Sequence, residues 1–102
     1  MGTWRSLAVW REKQVLKIPT DLMPIEYCAM MRELCLAYRL LEDHGSLKPG
    51  DAVILNAANS TVGQVVIQLC SLLKLRAIAV VREVGDFEKN STWLKSLGAF
   101  DV

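Results

Sequence analysis

Ile54 to Leu69 reads "ILNAANSTVGQVVIQL", and this stretch decides the fold. An apolar run stops at Asn56, a turn of small residues follows, and branched apolar residues then recur at helical spacing. That order predicts a strand, a tight turn and a helix. Small residues stand three apart in the turn, at Ala57, Ser60 and Gly63, where a dinucleotide-binding turn places its glycines. Such a turn needs small residues so that the backbone can approach a pyrophosphate, while the helix start turns free N–H groups and a positive dipole end to the charge. Only Gly63 is a glycine, so the motif leaves two readings open: a nucleotide site, or a strand-to-helix turn with ordinary polar capping.

Working outward, "AVILN" (Ala52–Asn56) and "RAIAVV" (Arg76–Val81) are short apolar runs of the kind found in parallel strands buried on both faces. Between them the helix starting near Val62 places Val62, Val65, Val66, Leu69, Leu72 and Leu73 on one stripe. Strand, helix and strand of this length make a right-handed crossover. A further helix from about Asp86 to Leu97, a C-cap at Gly98 and a third strand from Ala99 to Val102 extend the alternation. The expected fold class is α/β, part of a Rossmann-type, doubly wound parallel sheet. Arg82 and Glu83 close the second strand, about 20 positions past the turn, where an acidic group takes an NAD ribose hydroxyl and an arginine pairs with the 2′-phosphate of NADP. Their alternative is a solvated pair at a strand end.

Upstream, "PTDLMP" offers Thr20 or Asp21 as a cap and Pro24 for a first helical turn. From Ile25 to Asp43, Met31, Leu34, Cys35, Tyr38 and Leu41 recur at steps of three and four, predicting a helix, in one piece or broken in two. "GSLKPGD" is a loop by composition. The start "MGTWRS" fits an N-myristoylation pattern, and Arg5, Arg11 and Lys13 are compatible with a transit peptide. Against these, Thr3–Trp10 and Gln14–Ile18 are β-prone and read as two strands joined by "REK".

A chain of 102 residues with 52% hydrophobic content expects to bury more than a small free-standing domain does. Its 12 basic and 11 acidic residues are interspersed, which gives no footprint for nucleic acid or a membrane surface. Apolar runs are too short to span a bilayer. Cys28, Cys35 and Cys70, odd in number and without CxxC spacing, read as buried core thiols rather than a disulfide or metal set. His44, the single histidine, reads as a helix C-terminal cation, and no catalytic or metal-binding residue is assigned.

Taken as a set, "GTW", "AYRLLED", "LKPGD", "NAANSTVGQ", "VIQL", "VVRE" and "LKSLGA" resemble, in order and spacing, the mitochondrial trans-2-enoyl-thioester reductases, the zinc-free, NADPH-dependent branch of the medium-chain dehydrogenase/reductase superfamily. The resemblance runs along essentially the whole chain. It implies hydride transfer from NADPH to the β-carbon of a 2-enoyl thioester of CoA or acyl carrier protein, in mitochondrial fatty acid synthesis. It implies cofactor contacts from Asn59, Ser60, Thr61, Val62 and Gly63 at the turn, and from Arg82 at the 2′-phosphate with Glu83 beside it. It also implies that residues 1–19 are the last strands of a GroES-like catalytic barrel, 20–45 a connecting helical region and 46–102 the first part of the nucleotide-binding domain. On this reading the chain is an internal portion of an enzyme that is a homodimer at full length, and is itself inactive, the catalytic tyrosine lying before Met1. Three positions depart from the family: Thr61 for a smaller or apolar residue, Glu33 for an asparagine, and Val84 for a second basic residue. Alternatives are a quinone or other enone reductase of the same superfamily, and a non-catalytic interaction fragment using the LxxLL pattern Leu69–Leu73.

Overall fold

The computed structural model describes residues 4–19, 21–43, 45–82 and 85–102. Two strands, β1 (Ala52–Asn56) and β2 (Arg76–Val80), pair in parallel with Val53 opposite Ala77 and Leu55 opposite Ala79. Helices α1 (Ile25–Cys28) and α2 (Met31–Glu42) precede them, α3 (Thr61–Leu72) joins them, and α4 (Phe87–Ser96) follows. After α4 the chain returns to β2, where Ile78 and Asp101 form a parallel bridge and the Ala79 amide donates to the Asp101 carbonyl at 2.8 Å. β2 is therefore flanked by β1 on one side and the incipient third strand on the other, the start of a Rossmann-type sheet.

Both long crossover helices begin on side-chain caps. Ser60 Oγ accepts from the Gly63 amide at 3.2 Å and Asp86 Oδ1 accepts from the Lys89 amide at 3.0 Å. α4 ends at Gly98, whose φ of +109° suits glycine alone. The expected helix over 25–43 is broken in two, and its buried face is Ala37 and Leu41, with Met30 and Leu34 packed against the core.

The core lies between α2, α3 and one face of the sheet, and gathers Ala37, Leu41, Val65, Ile67, Cys70 and Leu94 among others. This arrangement corrects several expectations. α3 touches both the sheet and α2, so its buried arc turns towards Gly63, Ile67 and Cys70, and Leu72 is 78% exposed. The strands are covered on one face only: Val53, Leu55, Ala77 and Ala79 point into the core, whereas Ile54 is 72% exposed. Cys70 is buried as expected, but Cys35 is exposed and Cys28 half-buried. No strand forms among described residues 4–19; Glu12–Gln14 make a 3-10 turn, and residues 4–17 are exposed. A hairpin without a further strand or helix to cover its apolar face is marginal, which accounts for the difference. The readings placed on Thr20, His44 and Val84 lie outside the described residues.

Candidate functional site

Ligands of open α/β sheets sit beyond the carboxyl ends of the strands, and a cleft lies there in this chain. Its walls are Asn56, Ala57 and Asn59 from the turn after β1, and Val80, Val81 and Arg82 from the end of β2. Parallel pairing puts the two strand ends side by side, Asn56 opposite Val80, and so brings Arg82 to the turn although the two are far apart in sequence.

In the turn the carbonyls of Ala57, Asn59 and Ser60 are occupied and several donors are not. Ala57 adopts φ +48°, a left-handed conformation unusual for a residue with a Cβ. Two bonds hold it in place: Ser60 N–H donates to the Ala57 carbonyl at 2.9 Å, and Ala58 N–H to the Val80 carbonyl at 3.3 Å. The Ser60 carbonyl accepts from the Gln64 amide at 2.9 Å, and the Asn59 carbonyl from the Gln64 side chain at 3.0 Å. Among the described residues, the N–H groups of Asn59, Thr61 and Val62 have no hydrogen-bond partner. Free N–H groups at a helix start, with the positive end of the helix dipole behind them, favour an anion.

Gly63 is buried beneath the turn, and a Cβ there would lie 2.5 Å from the Ala58 carbonyl oxygen and 2.7 Å from that of Ala57. No side chain fits, so this position sets how closely α3 approaches β1.

The residues predicted for the site separate by what they can offer. Asn59 and Arg82 line the cleft. Ser60 spends its hydroxyl on the helix cap, Val62 packs its side chain on the core and offers only its amide, and Thr61 is exposed at the first helical position. Glu83 lies outside the described residues. Glu33 is half-buried in the first turn of α2 and is not among the residues lining the cleft. The sequence reading missed Asn56, Val80, Val81 and Gln64; the first three could have been found from the rule that ligands meet strand ends, whereas Gln64 shows its part only through its bond to Asn59. No cluster of three or more potential metal ligands occurs among the described residues.

No protein-family model matches the chain. It is 49% identical over 103 residues to the mitochondrial enoyl-[acyl-carrier-protein] reductase of Homo sapiens, an alignment covering 100% of this chain and 27% of that protein. Over its whole length the chain is thus homologous to one portion of the mitochondrial enoyl-[acyl-carrier-protein] reductases. It spans about a quarter of the length of such relatives. Among solved structures, the mitochondrial 2-enoyl thioester reductase Etr1p/Etr2p heterodimer from Candida tropicalis matches the chain with a TM-score of 0.72 and 28% identity, over 78% of this chain and 22% of that one. The Etr1p complex with NADP and crotonyl-CoA matches with a TM-score of 0.72 and 27% identity, over the same shares of the two chains.

The donors, the glycine-sized approach and the Arg82 fork together fit a dinucleotide carrying a 2′-phosphate. The LxxLL pattern fares differently. Leu69 packs against the core while Leu72 and Leu73 face outward, so the three leucines do not form one free face.

Proposed function

We propose that the chain forms the phosphate-binding half of the cofactor site in an NADPH-dependent enoyl-thioester reductase of mitochondrial fatty acid synthesis. NADPH, when bound, supplies the hydride that reduces a 2-enoyl thioester of CoA or acyl carrier protein. The chain's own residues bind and orient. The Asn59, Thr61 and Val62 amides hold the pyrophosphate, Gly63 permits its close approach, Ser60 keeps the helix start in shape, and Arg82 pairs with the 2′-phosphate, while Glu83 is the competing group that would accept from the ribose hydroxyl of NADH. In the same reading, residues 46–102 are the first part of the nucleotide-binding domain, 20–45 connect it to a catalytic barrel whose last strands residues 1–19 would form only against the rest of that barrel, and the whole reductase is a homodimer. The observation that carries the proposal is a turn with the carbonyls of Ala57, Asn59 and Ser60 occupied and the N–H groups of Asn59, Thr61 and Val62 unpartnered, in one cleft with Arg82. Titrating NADPH into the ¹⁵N-labelled chain should shift the amides of Asn59, Thr61, Val62 and Arg82 before any others. Shifts confined to α2, or none at millimolar NADPH, would contradict it.

A further inference from the structure

Gln64 stands one residue beyond Gly63, in the first turn of α3, and its side chain reaches back five residues to the Asn59 carbonyl. Its backbone carbonyl in turn accepts from the Gln68 side chain at 3.1 Å. We propose that Gln64 is a positioning residue for the cofactor pyrophosphate: it holds the Asn59–Ser60 peptide so that the turn offers N–H groups, and no free carbonyl, to the anion. This inference rests on the nucleotide-binding reading above.

The effect of Gln64 is electrostatic. A carbonyl oxygen carries partial negative charge, and Asn59 is exposed at the lip of the cleft that also holds Arg82. Before a dinucleotide binds, water can partner that oxygen. Once the ligand displaces water, an oxygen without a partner both loses its hydrogen bond and repels the phosphates. The Gln64 amide is a partner that stays when water leaves. Of the other carbonyls around it, Ala57 accepts from Ser60 N–H, Ser60 accepts from Gln64 N–H, and that of Ala58, a fully buried residue, lies against Gly63. The Asn59–Ser60 peptide is thus the one in the turn whose carbonyl orientation depends on a side chain. A glutamate in its place would have the length but, when ionised, no proton to donate.

The test is binding of ADP-ribose, which has the pyrophosphate but no 2′-phosphate and no nicotinamide, to the ¹⁵N-labelled chain as wild type, Gln64→Met and Gln64→Glu. Gln64→Met should raise Kd roughly three- to tenfold, the worth of one hydrogen bond, for ADP-ribose and NADPH alike. The Asn59 and Ser60 amide signals should already be displaced in the free variant. Gln64→Glu should bind more weakly still near neutral pH and recover relative to wild type as pH falls through about 4.3, where a protonated carboxyl regains a donor. That pH dependence is a readout which a merely structural role would not move, and it carries the test if Gln64→Met does not fold. Wild-type binding with an unchanged Gln64→Met affinity, or a Gln64→Glu deficit independent of pH, overturns the role of Gln64 alone. Failure of the wild-type chain to bind either ligand at millimolar concentration overturns the nucleotide-binding reading, and this inference with it.

Discussion

At the scale of single residues, the three small positions of the turn do three different jobs, which is why one glycine suffices. Ala57 takes the left-handed conformation itself, at φ +48°, a choice that costs about 1–2 kcal/mol relative to glycine. Ser60 works as a helix cap through its hydroxyl. Only at Gly63 is a side chain sterically excluded, by backbone oxygens that cannot move aside cheaply. Gly63→Ala should therefore destabilise the chain by about 1–3 kcal/mol, as overpacking does, read from the midpoint of urea denaturation. An unchanged midpoint would mean that α3 does not sit this close to β1. Spacing made these three residues legible in the sequence, but their division of labour was not, since φ and carbonyl direction leave no mark on residue type. The cysteines make the same point. Three similar apolar contexts led to one expectation of burial, yet only Cys70 lies in the core, where burial pushes its thiol pKa up and disfavours the thiolate.

At the scale of elements, order and type were legible from α1 onward, but the two strands read before it did not form among the described residues, and helix orientation was not legible. The strands, α3 and α4 stand where apolar runs, caps and Gly98 put them, because those signals are local. Which side of α3 is buried depends on α2, a partner distant in sequence. A stripe drawn for packing on the sheet alone takes in Leu72, whereas contact with α2 as well buries Ile67 and Cys70 completely. The two helix faces can be separated by experiment. Ile67→Ala should cost about 2–5 kcal/mol, as a large-to-small core change does. Leu72→Ala, at a side that is mostly solvent, should stay within about 0.5 kcal/mol. Chemical denaturation of both variants compares them directly, and equal losses would place Leu72 in the core after all.

At the scale of the molecule, the composition is richer in apolar residues than the core explains. Ile54 and Val80 are exposed on the open sheet face, and Trp4, Leu7 and Val9 on the segment before the helices. The strand face and the N-terminal segment were expected to be covered because their sequences are apolar, but covering needs a second layer, and one layer of helices covers one face. What the described residues do assemble is the end of two parallel strands, and there Arg82 lines one cleft with the turn after β1. The central claim is that this juxtaposition recognises the 2′-phosphate of NADPH. Its most direct measurement is the Kd of NADPH and of NADH for the wild-type chain and for Arg82→Ala. Arg82→Ala removes charge-assisted hydrogen bonds worth about 1.5–3 kcal/mol, so NADPH binding should weaken by roughly ten- to hundredfold while NADH, which has no such phosphate, is nearly unaffected. An equal loss for both cofactors would make Arg82 a structural residue and contradict the account.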